Sequence, residues 1–433
     1  MSGGAVRRIA INAQLNPTGA GGVETNLLSM LQVLAEGDDS FAVSLLALPR
    51  YVDDFRKVAR FAKTVPWTLG QTPAGATAPP ISHERQLRRA LGPHARLVDV
   101  AVAAARRARY GRIPDDLGSP VFQALRQARI SAVHFPAPQL FETRLPFIYE
   151  PWDLQYLHYP DFFTEDEFLM RDRSYRYGCH RAKLVLTATD WVKQDIVKRL
   201  GVSPRKVVAI HRGSLIAREA LTDAQVDAEL AALGVGPDFI FYPAMCFEHK
   251  NHLRLLRALA ILRDRDGLTI PLVLSGRRHR PFLPVVEKAI TDLGLEGQVK
   301  VLGVVSHAAL AALYRRARFM VFPSLFEGLG LPVLEAFHHG TPVLAARETC
   351  LPEVIGDAGV LFDARDEQAI ATAIGEAWRN PQALGALAEK GRARLEHFSW
   401  QRGRVLLNAC YKHVLGLDMT DDEAHAFSLA TAA

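Results

Sequence analysis

Two glutamates, Glu327 and Glu335, are separated by seven residues in the stretch of this chain that is best suited to chemistry. Glu327 belongs to a glycine-containing loop, and Glu335 falls on the first turns of a helix that Pro332 is suited to begin. Carboxylates accept hydrogen bonds from sugar hydroxyls, while the free N–H groups at a helix start favour an anion. The pair suits a sugar nucleotide, although two solvated glutamates on an ordinary strand–loop–helix would have the same spacing.

The flanking residues predict the elements that hold this pair. An apolar run, residues 319–322, predicts a buried strand, and Gly340 can close the helix before a second strand at residues 341–346. Gly328 and Gly330 let the backbone approach a ligand closely. In open α/β folds ligands bind at the carboxyl ends of the parallel strands, so we expect both glutamates to face that crevice.

Strand-like and helix-like segments alternate along the rest of the chain, which predicts parallel sheets. We expect an α/β protein with two Rossmann-like, doubly wound domains and a cleft between them. The predicted units are residues 1–213, residues 214–399, and a final segment, 400–433, whose helix crosses back before a frayed tail. The glycine-rich turn at residues 16–22 lacks both GK[ST] and GxGxxG, which excludes a P-loop and disfavours a Rossmann oxidoreductase.

Composition and charge set further bounds. Of 433 residues, 49% are hydrophobic and 23% charged, which is typical of a globular protein. No apolar run approaches the roughly 20 residues that span a bilayer, and the N-terminus does not resemble a signal peptide, so we expect a cytoplasmic protein. The four cysteines are scattered and predict neither a zinc site nor a disulfide framework.

Residues 83–112 are strongly basic, with leucine and valine between the arginines. A basic amphipathic helix pair fits an anionic membrane surface, which would make the protein peripheral at the inner membrane face. A solvated helical face explains the pattern equally well. Nucleic acid is a poorer fit because aromatic residues are almost absent from this segment.

Five motifs in order resemble those of the retaining GT-B glycosyltransferases of family 4, also called glycosyl transferases group 1. The resemblance covers most of the chain, is strongest over residues 238–363, and is closest to bacterial polysaccharide mannosyl- and rhamnosyltransferases. The motifs are EX7E from Glu327 to Glu335, HKNH at 249–252, LGVV at 302–305, LPEVIGDAG at 351–359 and GGVE at 21–24.

The resemblance implies a role for each matching residue. Glu327 would contact the donor sugar hydroxyls, Lys250 would neutralise the diphosphate, and Glu335 would bind the ribose. Asp153 would complete the catalytic set from the N-terminal domain. Further donor contacts are implied for the backbone or side chains of Gly22, Arg277, Val305, Gly328, Leu329 and Gly330.

Two positions depart from the family pattern. Trp152 stands where many members have a histidine, and Ala244 stands where many have an arginine. We consider Arg277, Arg278 or His249 as sources of the missing positive charge.

The resemblance implies a retaining, metal-independent hexosyltransferase with no cofactor. GDP-mannose is the preferred donor, and the acceptor would be a glycan or a lipid-linked intermediate in cell-surface polysaccharide synthesis. The alternative is a nucleotide-sugar-binding partner protein with impaired catalysis, which the two departures favour.

Overall fold

The computed structural model describes residues 6–15, 22–66, 120–213, 221–277 and 281–432. Within them the chain forms two parallel sheets, which confirms the predicted α/β class. The first sheet consists of β1 (Arg7–Ala13), β2 (Phe41–Ala47), β3 (Lys63–Pro66), β4 (Ala132–Phe135), β5 (Phe147–Tyr149), β6 (Leu184–Thr187) and β7 (Val207–Ala209). The second consists of β8 (Ile240–Pro243), β9 (Leu272–Ser275), β10 (Val299–Gly303), β11 (Met320–Phe322), β12 (Val343–Ala346) and β13 (Gly359–Phe362).

Helices cover these sheets. Those of the N-terminal domain are α1 (Gly22–Leu34), α2 (Val52–Val58), α3 (Pro120–Gln127), α4 (Gln155–His158), α5 (Glu165–Arg181) and α6 (Asp190–Leu200). Those that follow are α7 (Asp223–Ala232), α8 (His252–Asp266), α9 (Leu283–Asp292), α10 (His307–Arg316), α11 (Leu331–His339), α12 (Leu351–Ile355), α13 (Glu367–Arg379), α14 (Pro381–Arg394), α15 (Trp400–Leu415) and α16 (Asp421–Thr431). Because helices lie over both faces, the strands are continuous apolar runs; β11 and β12 are buried at every residue.

Both sheets reverse their strand order at an internal point. The first sheet runs β3-β2-β1-β4-β5-β6-β7, and the second runs β10-β9-β8-β11-β12-β13. The order therefore reverses between β1 and β4 in one domain and between β8 and β11 in the other. Such a switch point opens a crevice at the carboxyl ends of the two strands, where α/β proteins bind ligands.

The chain returns to the N-terminal domain at its end. Trp400, Leu407 and Tyr411 of α15 are buried in the same apolar cluster as Ile9 and Leu31. The tail predicted to fray is instead the helix α16. A capping box between Thr420 and Glu423 begins it, so the sequence did contain the signal for this helix.

The residues predicted to contact a membrane, 83–112, lie outside the described part of the chain, as does most of the glycine turn at 16–22. Among the described residues, no helix is both long enough and apolar enough to cross a bilayer.

Candidate active site

The switch point of the second sheet brings together two residues that lie far apart in sequence. The loop after β8 carries Lys250, and the loop after β11 carries Glu327. Lys250 Nζ forms a hydrogen-bonded ion pair with Glu327 Oε1, and both side chains are largely buried, at 16% and 12% exposure. Lys250 Nζ also lies 5.6 Å from the centre of the Phe322 ring. A cation and a carboxylate are thus held together at the crevice.

A tight turn fixes Lys250. Lys250 is the last residue of the 3-10 turn Glu248–Lys250. Asn251 follows in the left-handed region, with φ 61°. Asn251 is buried and its Nδ2 donates to the carbonyls of Pro323 (3.1 Å) and Ala364 (2.8 Å). Tyr242 Oη donates to the Lys250 carbonyl at 2.6 Å. The turn is therefore bonded to the backbone that precedes Glu327, which explains why the two loops keep their register.

Thr349 holds the backbone of Glu327, a contact that the sequence analysis missed. Its Oγ1 accepts from Glu327 N at 3.1 Å and donates to Glu327 O at 3.0 Å. Thr349 has φ 49°, which is unfavourable for a β-branched residue. Strained residues of this kind persist where the surrounding structure over-determines them, often at functional sites. Cys350 Sγ also lies 3.2 Å from the Glu327 carbonyl.

Gly328 makes a close contact with the N-terminal domain. A Cβ atom at Gly328 would lie 2.8 Å from the Trp152 carbonyl oxygen and 3.3 Å from Asp153 Cβ. Thr189 Oγ1 donates to the Gly328 carbonyl at 3.0 Å. The loop after β11, residues 323–330, is called the donor loop after its predicted ligand. It touches the loop after β5 across the cleft, so the structure brings Asp153 to the region of Glu327 and Lys250.

Asp153 is held by its own loop. Its Oδ1 accepts from Gln155 N at 2.9 Å, which stabilises the start of α4. Burial raises the pKa of Asp153, and the nearby charge of Glu327 acts in the same direction. Trp152 has φ 70°, and its indole Nε1 donates to the Pro136 carbonyl at 2.9 Å. The side chain that replaces the family histidine is thus used to anchor the loop.

Glu335 lies on α11, which begins after Gly330 at φ +75°. Tyr314 Oη donates to Glu335 Oε2 at 2.9 Å. Burial raises the pKa of Glu335, while the hydrogen bond from Tyr314 and the charge of His307 oppose the rise. Tyr314 and His307 belong to α10, so the loop that carries Val305 leads into the helix beside Glu335. Sequence reasoning assigned neither residue a role.

Three backbone N–H groups of the donor loop are not used in hydrogen bonds within the described residues. Within the described residues, the N–H groups of Gly328, Leu329 and Gly330 donate to no protein acceptor. Leu329 is half-buried against the core of the second domain. These amides lie just before the N-terminus of α11, where an anion is favoured.

The structure gives less information on the other residues that were predicted to contact the sugar nucleotide. Val305 is half-buried, and Gly22 is the first residue of α1. Arg277 is exposed at the carboxyl end of β9, and it makes no ion pair within the described ranges. Arg278 lies outside those ranges.

His249 is a poor source of the missing positive charge. Burial, with a smaller effect of the charge of Lys250, lowers its pKa to about 2. The neighbouring His252 behaves alike, with a pKa of about 3, because of burial. Both rings are therefore neutral at physiological pH, so neither supplies the missing charge, and Arg277 is the remaining candidate among the described residues.

Part of the chain matches a known protein family. Residues 229–394 match the family described as Glycosyl transferases group 1. The O-antigen chain mannosyltransferase B of Escherichia coli is 29% identical over 264 residues, which is 60% of this chain and 68% of that protein. The MMP alpha-(1->4)-mannosyltransferase of Mycolicibacterium hassiacum is 34% identical over 170 residues, which is 38% of this chain and 40% of that protein.

Solved structures show the same fold at low sequence identity. Anabaena Alr3699/HepE, solved in complex with UDP and glucose, superposes with a TM-score of 0.66 at 18% identity, over 94% of this chain and 100% of that one. A glycosyltransferase from Rickettsia africae gives a TM-score of 0.65 at 16% identity, over 95% and 99%. The predicted GT-B architecture, with two Rossmann-like domains, is confirmed.

Proposed function

We propose that this chain, a group 1 glycosyltransferase of GT-B fold, moves a hexose from a nucleotide-diphosphate sugar to a glycan or lipid-linked acceptor with retention of configuration. The single observation that carries the proposal is the Lys250–Glu327 pair at the switch point. It places one cation and one carboxylate beside free backbone donors, opposite the loop that carries Asp153.

The chemistry needs a stabilised leaving group. Lys250 and the amides before α11 would take the negative charge that develops on the departing diphosphate. Glu327 would hold the sugar hydroxyls, and its ion pair with Lys250 would then open to admit the donor. Glu335, bonded to Tyr314, would accept from the ribose hydroxyls.

Retention requires the acceptor hydroxyl to approach the face that the diphosphate leaves. The leaving phosphate can take the acceptor's proton, so the enzyme must chiefly position the two substrates. Asp153 faces the donor loop from the acceptor side, where its carboxylate would stabilise the positive charge on the sugar. Lys250 and the amides before α11 would supply the charge stabilisation for which other enzymes use a divalent metal.

Mannose from GDP-mannose is the preferred donor. The support is similarity to the O-antigen and mycobacterial mannosyltransferases, together with the motif resemblance. Cell-surface polysaccharide synthesis at the inner membrane face is the corresponding setting, with residues 83–112 as the segment that would contact anionic lipid.

Purified protein incubated with a panel of labelled sugar nucleotides tests the proposal. We expect slow donor hydrolysis with GDP-mannose, unaffected by EDTA, and its loss in Glu327→Gln and Lys250→Ala. Glu367→Gln is a matched control, because Glu367 pairs with Arg257 within the second domain. Proton NMR of a transfer product gives the anomeric configuration, and an inverted product would refute retention.

The second candidate is a nucleotide-sugar-binding partner without turnover, favoured by Trp152 and Ala244. It predicts tight donor binding in calorimetry with no hydrolysis or transfer for any donor in the panel. Turnover that depends on Lys250 would exclude it.

A further inference from the structure

The first turn of α6, in the N-terminal domain, is bonded to the opposite domain. The carboxylate of Glu353, on α12, accepts from Asp190 N through Oε1 and from Trp191 N through Oε2, each at 2.8 Å. Trp191 also packs edge-on against Phe326, the residue before Glu327, with ring centres 5.6 Å apart. The donor half of the protein therefore docks on one helix end of the acceptor half.

This arrangement completes a helix cap between domains. The first N–H groups of a helix have no partner within it, and a negative charge there is stabilising. Thr189, the N-cap residue, accepts from Val192 N at 3.4 Å, which leaves the N–H groups of Asp190 and Trp191 to Glu353. If the cleft opened, these two donors would lose their protein acceptor.

His211 adds a charge to the same contact. It follows β7 where the chain leaves the first domain, and its Nε2 lies 3.2 Å from both Asp190 Oδ2 and Glu353 Oε1. The charge of Lys193 favours the ionised form of Asp190, and Arg394 Nη2 donates to the Glu353 carbonyl. Positive as well as negative groups therefore face the cluster of Asp190, His211 and Glu353. Hydrogen bonds to Asp190 and Glu353 raise the pKa of His211 to about 9.

We infer that Glu353 is a positioning residue, which closes the cleft by capping α6 and thereby sets the Gly328 loop against Asp153. The link is short: Thr189 bonds both Val192 and Gly328, so the α6 cap and the donor loop share one hydroxyl. The inference rests on the proposed function for its kinetic consequence, but the contact itself can be tested without turnover.

The pH dependence follows from His211. Part of the rise in its pKa comes from Glu353, which contacts His211 only when the cleft is closed, so the protonated ring stabilises the closed state. That contribution is lost as the pH rises through about 9. Closure is therefore expected to weaken in alkaline solution.

Hydrogen exchange of the full chain tests the cap directly. Glu353→Gln keeps the shape but puts an NH2 group against one of the two N–H donors. We expect exchange at Asp190 and Trp191 to rise about five- to thirtyfold, the range for losing a helix cap. In the same variant, exchange at residues later in α6 should match wild type. In the control variant Glu367→Gln, exchange at Asp190 and Trp191 should also match wild type. Wild-type protection, corrected for intrinsic rate, should fall as the pH rises through about 9.

Kinetics test the positioning role. In Glu353→Gln we expect kcat to fall by a similar factor while the donor Kd, set by the second domain, stays within twofold. His211→Gln is a second variant, with a smaller change in the same direction. Unchanged protection at Asp190 and Trp191 would overturn the cap, and lost protection with unchanged kcat would overturn the positioning role. If the wild type transfers no sugar, the proposed function fails, and the exchange result still decides the cap.

Discussion

Gly328→Ala should separate the two halves of the site without removing any functional group. Gly328 lies where the donor loop meets the loop after β5. The added Cβ would sit 2.8 Å from the Trp152 carbonyl oxygen, against 3.4 Å for ordinary contact. The obstacle is backbone, which cannot swing aside as a long side chain can.

The required shift sets the expected size of the effect. The loops must part by about 0.6 Å, the difference between those two distances. A displacement of about 1 Å at a reacting centre can cost on the order of a hundredfold in rate. We therefore expect kcat to fall about tenfold. The donor Kd should change little, because Lys250, Glu327 and Glu335 all belong to the second domain.

The assay is transfer at saturating donor, with calorimetric donor binding and a melting curve on the same sample. Gly236→Ala is the matched control, since nothing lies within 4 Å of its Cβ position. Gly330→Ala is a contrasting variant: its clash is with Leu351 and its φ is +75°, so it should lower the melting temperature. Wild-type kcat in Gly328→Ala would refute the idea that this contact sets the geometry of the cleft.

Three further changes test the donor side. Lys250→Ala should lower kcat about a hundredfold or more, as loss of one charge-stabilising donor does, and also lower the melting temperature because Glu327 stays buried without its partner. Thr349→Val should lower kcat about tenfold by freeing the Glu327 backbone, while Thr349→Ser, which keeps the hydroxyl, should resemble wild type in the same transfer assay. Glu335→Gln should weaken donor binding about tenfold in calorimetry, yet melt at the same or a higher temperature. Burial raises the pKa of folded Glu335, so its ionised form costs stability at neutral pH, and the amide can still accept from Tyr314.

Apolar periodicity, together with glycine, proline and capping residues, predicted the strands and helices whose sequences are strongly patterned. Strand β11, helix α11 and helix α6 were expected within about one residue of their observed ends, because apolar runs end there at glycine, proline or a capping residue. Strand β3 was not predicted. It is a short edge strand of Lys63, Thr64, Val65 and Pro66; two β-branched residues are too few to predict a strand, and a proline ends it. Helices α13 and α14 were also left unassigned.

The contacts of the site can likewise be divided into those that the sequence predicts and those that it does not. The pairing of Lys250 with Glu327 follows from motifs at the carboxyl ends of β8 and β11, which any doubly wound sheet brings together. The contacts of Thr349 and Glu353 could not be predicted. The first depends on a single residue with positive φ, and the second on how two domains meet. The catalytic roles themselves stay predictions.

Trp152, one of the two departures from the family pattern, has a structural explanation within its loop, residues 150–160. The loop starts at Glu150, which is fully buried and bonded to His134 and Arg212. Burial opposes its ionisation, but those two partners hold the pKa of Glu150 below its ordinary value, so it is charged. Breaking such a buried network is costly, so the loop is fixed at its origin.

The same network joins the loop to the two segments in which the chain passes between the domains. His134 Nδ1 lies 2.8 Å from Tyr411 Oη on the returning helix α15, and Arg212 lies at the exit from the first domain, over the Trp400 ring. With its origin fixed, the loop presents the Trp152 carbonyl to Gly328, and the indole is directed away to Pro136. A histidine side chain at this position could reach substrate only if it gave up that anchor. The contact of this position with Gly328 is therefore made by the Trp152 backbone, and Asp153, whose Cβ also faces Gly328, keeps its predicted role beside the donor.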